Sequence, residues 1–322
     1  MKDYWVTYTD RSEKSIITQY PQQKQEPIIG TCAQYLVSIG PAPSIRLEFR
    51  AAIADPAFLR LINGHKMQQI GLASGSVFCD AALTAALRTV EYSGRANISA
   101  RCLALHDPEL LAPLTRSLAG ADGDLFTTAS MESASTDIVS VKFRATSIQG
   151  ESHDLGSITI KIDDPEKLQA DWDRTSYYVE TRALERIKLC QEGSGHRMQH
   201  EVVYALFANA VEFDPVFQGI TEAYLSKDFQ EAAATVSLKE NPPSTSFTFS
   251  PYWGEALAHL AGFMVNGNPQ KSSRTTFIVM GFESIKQTVE FEPGKKYLTY
   301  TCQSMGKRDS LLRRFCFRHR FS

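Results

Sequence analysis

The chain has 322 residues and a formal net charge of −2, which is length for two ordinary domains or one large one. No basic run or basic–aromatic stripe precedes the C-terminal tail, which argues against nucleic acid as a partner. No apolar stretch approaches the roughly 20 residues that span a bilayer, and MKDYWVTYTDRSEKS lacks the apolar core of a secretion signal, so a cytoplasmic protein with no membrane partner is expected.

Residues 1–25 are polar and Gln-rich and read as a linker, as in a piece of a longer polypeptide. TCAQYLVSI and SIRLEFRAA read as strands, with β-branched and aromatic residues partly alternating with polar ones. DPAFLRLINGH predicts a short helix with Asp55 as N-cap and Pro56 at its first position, ending near Gly64. A longer helix is predicted from Ser76, as its cap, to about Val90. It is apolar almost all round, as a helix wrapped by a sheet would be. ISARCLAL, DLFTTASM, DIVSVKFRAT and GSITIKI follow as strands.

Near residue 164 the pattern becomes charged and helical, in DDPEKLQADWDRTSYYVETRALERIKLC. HEVVYALFANAVEF reads as one amphipathic helix, and DFQEAAATVSLKE, TSFTFS, TTFIVMGFESIKQ and KKYLTYTCQ as strands. Among these lies a second mostly apolar helix, WGEALAHLAGFMV. The class is α+β. Two matching central helices, each with its antiparallel strands, suggest a double hot-dog, divided into 26–165 and 166–322.

Cys32, Cys79, Cys102, Cys190, Cys302 and Cys316 are scattered, with no CxxC and no zinc-spaced histidines, and read as reduced, mostly buried thiols. His196 and His200 are four apart, but no third ligand accompanies them, so no metal site is assigned.

Two segments carry candidate chemistry. His65 follows Gly64 in a predicted turn ahead of the first apolar helix. It reads either as a structural histidine or as a general base, whose ordinary pKa of about 6.5 suits proton abstraction at neutral pH. The backbone N–H groups where the next helix starts could bind a carbonyl or enolate oxygen. Glu255 lies in the first turn of the second apolar helix, where the helix dipole alone would favour it. His259 is four residues on, on the same face, either as a simple contact or as a group that orients the carboxylate.

GHKM with SGSVFCDAAL, FRAAIADPAFLRLINGH, ALFANAVEFDPVFQGITEA, SPYWGEALAHLAGFMVNG and SRTTFIVMGFESI together resemble the product template domain of fungal non-reducing polyketide synthases. The resemblance implies a dehydratase-like double hot-dog that directs aldol cyclisation and aromatisation of a poly-β-ketone. The substrate would ride on the phosphopantetheine of an acyl carrier protein, with no cofactor bound directly. Neighbouring synthase domains and a homodimeric partner are implied too. By position His65 would be the base and Glu255 would stand where the family has aspartate; His259, Asn266, Tyr252 and Ser76 are candidate substrate-binding residues. Three departures bear on activity. Glu255 is one methylene longer than aspartate. Gln68, Gln69 and Ile70 replace smaller, Asn-Gly-like residues, with Gln69 expected to strain or fill the pocket mouth. The basic tail GKRDSLLRRFCFRHRFS is expected to be irregular, leaving the second hot-dog short of strands. A dehydratase acting on a β-hydroxyacyl thioester, or a degenerate non-catalytic template module, are the competing readings.

Overall fold

A computed structural model describes residues 29–41, 43–95, 97–119, 123–147, 149–267, 281–305 and 311–319, with backbone only at 117, 119, 303–305 and 311–319. The linker and the TTFIVM part of a predicted strand lie outside them.

The N-terminal half runs β1 (Tyr35–Ile39), β2 (Ile45–Ala52), α1 (Pro56–Asn63), β3 (His65–Met67), β4 (Ile70–Gly71), α2 (Gly75–Tyr92), β5 (Leu103–Leu110), α3 (Arg116–Ala119), β6 (Asp124–Met131), β7 (Ile138–Thr146) and β8 (Ser152–Ile162). Its strands form an antiparallel sheet in the order β1-β2-β6-β7-β8-β5. β7 alternates exposed and buried residues through most of its length, as a sheet with one wet face must. Val139, Val141, Phe143 and Ala145 point inward onto α2, whose Val77, Phe78, Ala81, Ala82, Ala85, Ala86 and Val90 are buried. Small side chains on the helix let the curved sheet close over it. In the predicted strand ISARCLAL, residues Ala100–Cys102 are instead a 3-10 turn. The strand then runs on through Pro108, past a bulge where Asp107 has φ 45°.

The C-terminal half runs α4 (Pro165–Gln191), β9 (His196–Gln199), α5 (His200–Phe207), β10 (Glu212–Phe213), β11 (Ile220–Leu225), β12 (Glu231–Ser237), α6 (Pro251–Asn266), β13 (Ser284–Ile285), β14 (Lys296–Met305) and β15 (Leu311–His319). The sheet order is β15-β14-β12-β11-β9. Both of its faces are covered. Ala232, Ala234 and Val236 meet the α6 core, whereas Ala233, Leu298 and Tyr300 pack under Ala183, Val179 and Ile187 of α4. Burial from both sides removes the alternation, which is why β11 and its register are hard to read from sequence.

Three expectations are corrected here. HEVVYALFANAVEF is not one helix; α5 stops at Phe207 and the chain returns as β10. TSFTFS is not a strand. Thr31 N–H donates to Ser246 O (2.7 Å), Ser246 N–H to Thr31 Oγ1 (2.9 Å) and Phe249 N–H to Asp80 Oδ1 (2.9 Å), while the Thr84 and Thr248 hydroxyls meet at 2.7 Å. Those bonds lace this segment onto α2 and the Thr31 turn instead of into a sheet. The tail is not irregular either: Leu311–His319 pairs antiparallel along β14 and forms the sheet's last strand.

The halves interlock. β13 pairs with β5 of the first sheet. A small third sheet, β10-β3-β4, joins residues of both halves, with Phe213 opposite His65 and Glu212 opposite Lys66. Phe217 and Tyr252 of the second half sit in the core of the first.

Candidate active site

His65 lies on β3, not in a turn, and is held from both sides. The helix before it is well started: Asp55 accepts from Ala57 N–H (2.9 Å) and Phe58 N–H (3.1 Å), with Pro56 next to it. Gly64 ends that helix against Phe217, where an added Cβ would come within 2.7 Å of Cε2. Leu72 N–H then donates to His65 O (3.0 Å), and Asp214 N–H to Gly64 O (2.8 Å). The imidazole is 8% exposed, packs edge-on to Phe213 at 5.2 Å, and its Nδ1 has no hydrogen-bond partner among the described residues. Burial lowers its pKa from the ordinary value, with the negative charge of Glu255 pulling the other way. It is therefore a neutral imidazole at neutral pH, the form that accepts a proton.

Glu255 lies just past the first turn of α6, not within it as expected, because the helix already starts at Pro251; it is half-buried, and its Oε1 accepts from Ser76 Oγ at 2.9 Å. Ser76 is not the helix cap. α2 begins one residue earlier at Gly75 with Ser74 as N-cap, which leaves the Ser76 hydroxyl free to reach across to α6. Gly254 permits that approach; a Cβ there would meet Ser76 Oγ at 2.7 Å and Phe249 Cε1 at 2.8 Å. Among the described residues no direct hydrogen bond joins Glu255 to His65, and the carboxylate reaches the imidazole through its charge.

His259 is 2% exposed and is not paired with Glu255. Its Nδ1 lies 3.0 Å from Tyr204 Oη, and Phe213 packs 4.0 Å from its ring. Burial, then the nearby His65, pushes its pKa down to about 3. Tyr252 is 1% exposed, packed between Phe217 (4.6 Å) and Phe247 (5.9 Å), with a phenol that has no hydrogen-bond partner among the described residues. Asn266 ends α6, about 16 Å of helix beyond Glu255 at 1.5 Å per residue, so it does not touch the pair. Gln68 and Gln69 have φ 49° and 66°, the left-handed turn that Asn-Gly sequences take without strain. Gln69 is exposed and its amide donates to Glu212 Oε1.

Sequence reading missed Tyr204 and Phe213. The one signal for Tyr204 was a phenol on the apolar face of a short helix, which needs a polar partner once buried. His196 and His200 do not converge: His200 Nδ1 meets Ile220 O at 2.7 Å and His196 packs on Phe229. Cys79 is buried and its thiol is pushed well up, chiefly by burial, so no thiolate forms there.

Two antiparallel sheets, each closed over a central apolar helix, make the hot-dog architecture of dehydratase-like domains. Solved structures agree on the fold. The dehydratase domain of RzxB from Pseudomonas fluorescens superposes with a TM-score of 0.61 at 11% identity, covering 90% of this chain and 93% of that one. The dehydratase domain from the CurF module of the curacin polyketide synthase gives 0.57 at 11% identity, covering 90% and 99%. No protein-family model matches the chain.

In sequence the chain belongs with the fungal non-reducing polyketide synthases, as one segment of them. It is 60% identical over 301 residues to such a synthase of Aspergillus terreus, covering 94% of this chain and 14% of the relative. One of Alternaria cinerariae is 56% identical over 310 residues, covering 96% and 15%. The chain thus spans about one-seventh of the curated relatives it matches, the size of a single domain. Among the described residues no helix is long and apolar enough to cross a membrane.

Proposed function

We propose that this segment is a product template domain that closes and aromatises rings in a poly-β-ketone carried on an acyl carrier protein. One observation carries the reading: a buried, neutral His65 from one half lies within electrostatic reach of Glu255 from the other. His65 takes a proton from a methylene flanked by two carbonyls. The resulting enolate carbon attacks a carbonyl further along the chain, forming the carbon–carbon bond. The imidazolium returns its proton to the new alkoxide. Removal of the remaining α-proton with loss of the hydroxyl as water gives a cyclic enone, and enolisation of the remaining ring ketones gives the aromatic ring. Glu255, held by Ser76, stabilises the imidazolium between these steps. His259, Ser76, Tyr252 and Asn266 are the substrate-side residues of this reading, with Tyr252 acting as packed wall. Only positioning decides which carbon meets which carbonyl. The phosphopantetheine arm belongs to the carrier protein, neighbouring synthase domains supply the chain, and a second copy completes a homodimer.

Dehydration of a β-hydroxyacyl thioester is the second reading, favoured by the fold neighbours; it begins with the same proton removal. The test loads an acyl carrier protein with a poly-β-ketone, adds the chain, and reads products by mass spectrometry. His65→Ala should cut ring formation by on the order of 100-fold or more with an unchanged melting curve. An identical product distribution with His65→Ala would sink the proposal. Turnover of a β-hydroxyacyl thioester with no effect on the poly-β-ketone would favour dehydration.

A further inference from the structure

We propose that Tyr204 is a positioning residue that locks His259 as its Nε2–H tautomer, making it a hydrogen-bond donor to substrate oxygen beside the base His65. The geometry is a directed chain. Ile220 N–H donates to Tyr204 Oη (3.1 Å), so that oxygen already accepts. The phenol hydrogen must go to another acceptor, and His259 Nδ1 stands 3.0 Å away. With Nδ1 as that acceptor, the ring carries its proton on Nε2. Burial keeps the imidazole uncharged across the physiological range.

Nε2–H is buried and makes no hydrogen bond to any described residue. The ring is walled by Phe213 at 4.0 Å and Phe207 at 5.7 Å, so Nε2–H is its one uncommitted polar group. Phe213 also packs on His65, which puts both imidazoles against one aromatic side chain. An unpaired buried donor is costly unless a ligand atom takes it up.

The lock divides labour between two neighbouring histidines. His259 has no free lone pair: one nitrogen is occupied by Tyr204 and the other carries hydrogen. It cannot compete for the substrate proton, which leaves His65 as the base. It can donate to the carbonyl oxygen on which negative charge grows as that proton leaves. A neutral donor does this without adding a positive charge beside the forming imidazolium. The substrate half of this inference rests on the proposed function; the tautomer does not.

The test uses the chain with ¹⁵N-labelled histidine. Long-range ¹H–¹⁵N spectra read ring protonation directly, and the His259 signals are identified by their absence in His259→Gln. The expected wild-type pattern is a protonated Nε2, a bare Nδ1 and no titration between about pH 5 and 8. Tyr204→Phe should mix the two tautomers, and adding acetoacetyl N-acetylcysteamine thioester to wild type should move the Nε2–H resonance. A protonated Nδ1 in wild type, or an unchanged pattern in Tyr204→Phe, overturns the lock. If Tyr204→Phe does not fold, the wild-type spectrum alone decides. A correct tautomer whose Nε2–H ignores the thioester overturns the donor role. A thioester response in a chain that closes no ring keeps the donor and rejects the cyclase.

Discussion

Among the described residues, one carboxylate is buried in each half besides Glu255, and the two behave in opposite ways. Asp80 on α2 is fully buried; its Oδ1 accepts from Phe249 N–H, its Oδ2 has no hydrogen-bond partner among the described residues, and burial raises its pKa to about 7. Glu231 on β12 is also buried, though less deeply, and its pKa is lowered. Burial pushes it up, but the Tyr300 hydroxyl, Arg186 and Arg182 more than offset that. Arg182 Nη2 lies 2.7 Å from Oε1, and Arg186 and Tyr300 also bond the carboxylate. Depth alone does not set the charge of a buried acid; the donors facing it do. In the second half α4 lies over the sheet and delivers those arginines. In the first half no helix carries a cation to Asp80.

The largest effect is expected from breaking the paired site. Glu231→Ala leaves two guanidinium groups and a phenol without their acceptor, and should lower stability by about 3 kcal/mol in urea unfolding. Glu231→Leu combined with Arg186→Met should recover much of that, because it removes the more buried guanidinium together with the acid, while Arg182 keeps Glu185 at 3.0 Å. If the double variant is no better than the single, the pairing account is wrong.

Next comes the contrast in pH dependence. The Glu231 contribution is complete above its ordinary value of 4.5 and is lost as pH falls through the lower, folded value. Asp80 runs the other way. Between its ordinary 3.8 and about 7, the folded chain keeps a proton that the unfolded chain has released, so stability falls as pH rises across that window. Asp80→Asn keeps an oxygen for Phe249 N–H and cannot ionise. It should flatten that slope, gaining on the order of 2 kcal/mol over wild type at pH 8 relative to pH 4. Parallel melting curves for the two proteins at both pH values would refute the assignment.

The smallest effect is expected at the hairpin between the halves. Gln69→Gly relieves a left-handed backbone at a position whose side chain makes one exposed hydrogen bond, so a gain of about 1 kcal/mol is expected in thermal melting. A loss would show that the Gln69–Glu212 bond, which ties β3–β4 to β10, outweighs the strain.

Legibility followed the same division. β6 reads off the sequence to the residue and β7 to within one, because one face of that sheet is wet and its strands alternate. β11 was missed, and TSFTFS was misread, because the first is buried on both faces and the second spends its backbone bonds on Thr31 and on Asp80 of α2. The tail was misjudged for a related reason. LLRRFCFRH has no clean alternation, and its strand exists because β14 offers an unpaired edge. At the site, His65 and Glu255 could be singled out by residue type and position. Their surroundings could not: Ser76 was expected to cap a helix, and Tyr204 was not considered.

By itself the sequence determined the class, the two apolar helices, one at the centre of each half, and which side chains could accept or give a proton. Those are local matters of period, capping and functional-group chemistry. The partners were decided only by the folded chain: Ser76 for Glu255, Tyr204 for His259, and Phe213 between the two imidazoles. Each is an encounter across tens to hundreds of residues, set where curved sheets bring distant segments together, and no local spacing encodes it.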